Sequence, residues 1–147
     1  MTRLGALLFW VSMTLWIGGL AALALVAAPV IFKTAPSREV GGEIFGRILW
    51  VFNKIELACA AAALAGAFMM MGRPAGRLDW AKVAVIGTMG LNVLMITLWL
   101  LPTMNSCRGV EPVRFEQLHH LSTKLYSATL LAGLAVITLA ALRKPTS

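Results

Sequence analysis

Charge is scarce in this chain. Thirteen lysines and arginines and six acids are spread over 147 residues, 13% in all, against about 25% in an ordinary soluble domain. The solvated surface of a soluble protein is therefore missing. Cysteine and histidine each occur only twice, which excludes a disulfide scaffold and any closely spaced Cys/His zinc motif. A bridge between Cys59 and Cys107 would join an apolar run to a loop and is not expected; Cys59 reads as a small packing residue. Paired carboxylates, a nucleophile–base pair and a phosphate-cradling loop are also missing. Catalysis is not expected.

What is present is apolar. The hydrophobic fraction is 59% and the mean hydropathy +0.82. A chain this short leaves much of its surface outside any core, so the excess must face lipid. The net charge of +7 does not point to nucleic acid. The basic residues lie between apolar runs rather than in a patch with aromatic platforms, and fit topology signals and anionic headgroups.

The apolar runs set the architecture. Crossing about 30 Å of hydrocarbon takes about 20 helical residues. Leu4 to Val30, Leu57 to Met71, Val83 to Leu101 and Leu125 to Leu142 carry no charge. With their flanks they predict helices at about 4–32, 43–71, 80–101 and 113–142. The fold class is all-α, a four-helix transmembrane bundle forming one domain over 1–147. The first run also resembles a signal peptide, with Ala22-Leu23-Ala24 as a cleavage triplet, but it exceeds the usual h-region of about 7–15 residues. A retained helix is expected. Pro29 falls at its end, and Lys33 to Gly46 reads as a connection. Pro102 is expected to stop the third helix, and Arg143 and Lys144 the fourth. Alternation at period two is absent, which excludes a membrane barrel.

Lysine and arginine set the sidedness. Arg3, Arg73, Arg77, Lys82, Arg143 and Lys144 fall on the side of the termini, and Lys33, Arg38, Arg47, Arg108 and Arg114 on the other. The larger group places the N- and C-termini in the cytoplasm. Small residues recur every fourth position at Gly18 and Ala22, at Ala58, Ala62 and Gly66, and at Ala128 and Ala132. Such spacing suits close helix packing in lipid, within one chain, in a homo-oligomer or in a larger membrane complex.

Polar residues cluster at two places of matching depth. Counting back from Met71 puts the second helix's boundary near Val51, so Asn53, Lys54 and Glu56 lie in the first turn or two below it. His119, His120, Ser122, Thr123, Lys124 and Tyr126 lie at a similar depth on the fourth helix. Ionisable groups at membrane depth usually pair or line a cavity. The expectation is a polar pocket of Asn53, Glu56, His119, His120, Ser122 and Lys124, on the outer side between the second and fourth helices, with Glu56 paired to Lys124 or His119. The alternative is interfacial decoration, with Lys54 and Lys124 snorkelling and Tyr126 anchoring. For a metal, Cys107, Met104 and His119 form a conceivable soft-donor site for copper. For haem, the adjacent histidines point about 100° apart, so two axial ligands from one chain are excluded, leaving His with Met or a dimer. The expected state is no cofactor, with copper or haem as alternatives.

Three segments resemble a known family. Leu15-Trp16-Ile17-Gly18-Gly19 through Ala28-Pro29-Val30-Ile31-Phe32, Gly42 through Gly46, and Arg114-Phe115-Glu116-Gln117-Leu118-His119-His120-Leu121-Ser122 are similar to an uncharacterised bacterial four-span membrane family, a domain of unknown function. That family resembles small eukaryotic transmembrane proteins of drug and metal tolerance, and more distantly the membrane domain of copper-resistance D proteins. The resemblance covers nearly the whole chain. It implies a four-span fold and no activity; the polar pocket carries the expectation of a small multi-pass protein of the bacterial inner membrane that handles a metal ion or small molecule there, in transport or tolerance. Alternatives are a non-catalytic accessory subunit and a haem- or metal-binding membrane oxidoreductase.

Overall fold

The computed structural model describes residues 3–71 and 75–142. Four long helices alternate in direction: α1 (Arg3–Thr34), α2 (Arg38–Met70), α3 (Arg77–Cys107) and α4 (Pro112–Ala141). No strand occurs among the described residues. Each helix packs on its neighbours in sequence, and α1 also packs on α4, which closes the ring. Each contains an 18-residue window of mean hydropathy between 1.6 and 2.3. Large apolar side chains such as Leu25, Leu91, Leu98 and Leu131 are exposed around the outside. Surfaces of this kind are stable against lipid and not against water. The molecule is a multi-pass, all-α membrane protein.

The helices are longer than their charge-free runs. A connection was expected from Lys33 to Gly46, yet α2 begins at Arg38, because Ser37 caps it: its Oγ accepts from the Val40 amide at 3.2 Å. At the start of α3, Asp79 accepts from the Gly76 amide at 3.2 Å and pairs with Lys82 at 3.2 Å, starting the helix three residues before Trp80. Pro112 opens α4 at its first turn, where its missing amide is no loss. The turn between α3 and α4 contains Gly109 at φ 77°, a conformation costly for other residues. The expected charges Arg73, Arg143 and Lys144 lie outside the described residues, as do Gly72 and Pro74.

Pro102 does not end its helix, contrary to expectation, and Pro29 lies near the end of a helix that continues to Thr34. Each is absorbed by a π-helical turn just before it, Leu23–Ala27 in α1 and Ile96–Leu100 in α3. The Ala28 amide reaches back to the Leu23 carbonyl, and the Leu101 amide to the Ile96 carbonyl. The extra residue widens the turn and relieves the clash between a proline ring and the carbonyl four residues earlier. The helices then continue to Thr34 and Cys107. Cys107, expected in a loop, is thus a buried helical residue.

The interior is divided along the bundle axis. Towards the end that holds the termini, Phe9, Met13, Ile17, Ala63, Ala67, Ile86, Met89 and Val136 form one apolar cluster. Towards the opposite end, Ile96, Leu100, Leu101 and Met104 pack with Phe115, Leu118 and Leu125 in a second. Between the two lies a polar layer.

Candidate functional site

The layer sits about midway along every helix. Trp16 of α1 and Asn53 and Glu56 of α2 are each 0% exposed. The Trp16 indole N–H donates to Glu56 Oε1 at 2.8 Å. In the amide orientation of Asn53 that suits its neighbours, the Tyr126 hydroxyl of α4 donates to Oδ1 at 3.2 Å. The same orientation lets Nδ2 donate to Glu56 Oε2 at 3.0 Å and to the Leu49 carbonyl at 3.1 Å. Oδ1 then lies 3.2 Å from Thr97 Oγ1 of α3. The Thr97 hydroxyl also reaches the Val93 carbonyl at 2.8 Å, so its single proton is shared between two acceptors. One turn on, Asn92 Nδ2 clamps α3 to α4, donating to the Leu125 carbonyl at 3.0 Å and to Thr129 Oγ1 at 2.8 Å.

Electrostatically the layer is one-sided. Glu56 forms no ion pair with Lys, Arg or His among the described residues; the partners named above are an indole and an amide. A charge buried in lipid-spanning structure is costly unless paired or solvated. Lys54, next but one to Glu56, turns outward and lies over the Trp50 ring at 3.4 Å. A shallow surface groove of about 420 Å³ runs beside the layer, lined by Ser12, Lys54, Ile55, Ala58, Cys59 and Ala62.

Of the expected pocket residues, Asn53 and Glu56 come together. Ser122 is buried, but its hydroxyl donates to the His119 carbonyl of its own helix at 2.7 Å. His119, His120 and Lys124 are exposed. His119 stacks on Phe115 at 6.2 Å, and His120 stands 3.8 Å from Glu116. The expected pairing of Glu56 with Lys124 or His119 is not made. Lys124 precedes Tyr126 by two residues, about 200° around the helix, so it points away when Tyr126 points in.

The soft-donor site is split in the same way. Met104 and Cys107 are buried, whereas His119 is exposed. Both thiols are free. No group of three His, Cys, Asp or Glu among the described residues is placed to hold a metal ion.

The small-residue stripes are partly misphased. Gly66 is a true contact point, facing the backbone of Gly5 and Phe9, and Ala62 and Ala132 are half-buried. Gly18, Ala22, Ala58 and Ala128 are exposed. Four residues turn a helix by about 400°, so a strict four-residue stripe drifts about 40° per step and leaves the interface. The interior positions lie beside them, at Gly19 against Phe52 and at Gly133 against Ile17.

Sequence reasoning passed over Trp16 as part of a motif, and Asn92, Thr97 and Thr129 altogether. Asn92 was visible as an amide inside an uncharged run, where a polar side chain needs a partner.

A four-helix membrane bundle with a buried polar layer is thus the class of protein. A profile of the Domain of unknown function (DUF4149) matches residues 11–112, and the chain belongs to that family. The match includes α1 from Val11, α2 and α3, with Trp16, Asn53, Glu56, Asn92 and Thr97, and stops at Pro112, before the His119 segment. No curated protein and no solved structure matches the chain.

Proposed function

We propose that this protein handles a cation or small molecule, in transport or tolerance, at the polar layer around Glu56 in a bacterial inner membrane. The observation that carries this reading is Glu56 itself, a carboxyl fully buried midway along the bundle with neutral partners. A helix that needed only packing there would be served better by an apolar residue, since polar burial costs free energy that packing does not. The working site on this reading draws on all four helices, not on an outer pocket between two. Its donors are oxygens of Glu56, Asn53, Tyr126 and Thr97, a hard set that suits hard cations rather than copper(I). The test is complementation. A strain lacking the gene is challenged with a panel of metal salts and organic cations, then supplied with wild type or Glu56→Gln at equal membrane abundance. Wild type is expected to restore growth and Glu56→Gln to fail. Full rescue by Glu56→Gln would overturn the reading.

A second reading rests on a different observation. Gly18, Ala22 and Ala58 are small and exposed on the outside of the bundle, a surface that lets a helix of another subunit approach closely. On that reading the chain is an accessory subunit or a homo-oligomer. Native mass spectrometry after mild-detergent purification should show a complex; a lone monomer would remove it.

A further inference from the structure

We infer that the species taken up by Glu56 is a proton. This rests on the proposal that the polar layer is the working site, and it names what that site takes. The geometry argues it in three steps. First, the polar atoms of the layer are already engaged with one another at 2.8 to 3.2 Å. A bound metal cation draws about six or more oxygens to a common centre at roughly 2.0–2.6 Å. Here one carboxylate, one amide and two hydroxyls are each committed to directional bonds. A proton needs no cavity and no added ligand; it joins a carboxylate oxygen inside the existing network.

Second, nothing fixes the charge on Glu56. The groups that face it are the Trp16 indole from α1 and the Asn53 amide from its own helix. Cys59 stands one turn along α2, and Tyr126 of α4 joins through Asn53. From α3 the layer receives only the neutral Thr97 and Asn92. Lys54 and Lys124 are exposed. Glu56 is the one carboxyl in the layer, and its gain or loss of a proton is not tied to a cation.

Third, the surface comes near it, although Glu56 is itself fully buried and does not line the groove. The groove beside α1 and α2 is lined by Ser12, Lys54 and Cys59. Ser12 lies one turn from Trp16, and Cys59 three residues from Glu56. In the step itself an O–H bond of a hydronium ion arriving from the groove side breaks and an O–H bond on Glu56 forms, leaving water; on release that bond breaks and a water on the far side of the layer takes the proton, and no electron is transferred.

The experiment uses the full chain in vesicles of phosphatidylcholine and phosphatidylglycerol with a trapped pH-sensitive dye. A potassium diffusion potential drives protons inward, and empty vesicles give the leak. Wild type is expected to acidify the lumen well above leak, and Glu56→Gln to lower that rate at least tenfold. The Gln side chain keeps an oxygen to accept from Trp16, and its helical circular dichroism serves as the folding check. Should Glu56→Gln not fold, Glu56→Asp withdraws the carboxyl by one methylene and is expected to slow the flux about tenfold. No flux from wild type, or unchanged flux in the variant tested, overturns the proton assignment. If flux is absent while Glu56→Gln still fails to complement growth, the polar layer stands as the site and only the proton falls. If Glu56→Gln complements fully, the site itself falls.

Discussion

A methyl group added at Gly66 would stand 2.6 Å from the Phe9 backbone nitrogen and 2.7 Å from the Gly5 carbonyl oxygen. Backbone cannot step aside as a side chain can, so α1 and α2 would have to part. Gly66→Ala is therefore expected to destabilise the bundle by about 1–3 kcal/mol, as overpacking does. Gly18 is the contrast: a Cβ there meets nothing within 4 Å, and Gly18→Ala should be neutral or slightly stabilising, because alanine is the better helix former. Thermal unfolding in one detergent, followed by tryptophan fluorescence, compares the two; equal losses would remove the distinction. Both glycines sat in similar stripes in the sequence, and the stripe does not say which side of the helix meets a partner. The same blindness explains the site. Glu56 and Asn53 were legible because a polar residue in an apolar run needs an explanation. Their partners were not, because Trp16 reads as apolar and the exposed His119 and Lys124 carried the more visible chemistry.

At the scale of the helix, the boundaries were the least legible part, and the two prolines show why. A proline pattern reports a missing amide, but whether a helix stops or bulges depends on what the following residues gain by continuing. Beyond Pro102 they gain a core: Met104 and Cys107 are buried, and Met104 packs in the second apolar cluster. The π turn at Ile96–Leu100 is in effect one inserted residue, and Leu98 within it is exposed. Deleting Leu98 should restore a regular helix while keeping the phase of both halves. It would also return the Pro102 ring to the carbonyl of the preceding turn, at about 3 kcal/mol. The deletion alone is expected to lower thermal stability markedly, and the deletion combined with Pro102→Ala to recover most of it. If Pro102→Ala gives no recovery, the π turn is not there to accommodate the proline. Thr97 belongs to the same turn and to the polar layer, so the double variant, stable but with Thr97 deprived of its bulged backbone, also asks whether the bulge serves the site.

For the whole molecule, the four spans follow from hydropathy alone, because length and apolarity of a run are properties of sequence and need no partner. An even number of spans puts both termini on one side. Which side depends on lysine and arginine, six against five, and the structure adds that several of these charges are already engaged. Arg47 pairs with Glu43 at 2.7 Å and Arg114 with Glu111 at 3.4 Å, both on the five-charge side. On the six-charge side Lys82 pairs with Asp79. Acids count for little in the rule, so the margin is still one residue. A chain so nearly balanced should be easy to invert. A fluorescent protein that matures only in the cytoplasm is expected to glow when fused to either terminus of the wild type, and alkaline phosphatase to be active when inserted at Gly109. Replacing Arg143 and Lys144 with alanine changes the count to four against five. Terminal fluorescence should then fall and phosphatase activity at the termini rise, with a mixed population the expected outcome. Terminal fluorescence that stays at the wild-type level would mean that something other than charge count, such as the early insertion of α1, holds the orientation. The inversion also bears on Glu56: the polar layer lies about midway along the helices, so an inverted bundle would keep that layer at the same depth and exchange only which of the two apolar clusters faces the cytoplasm.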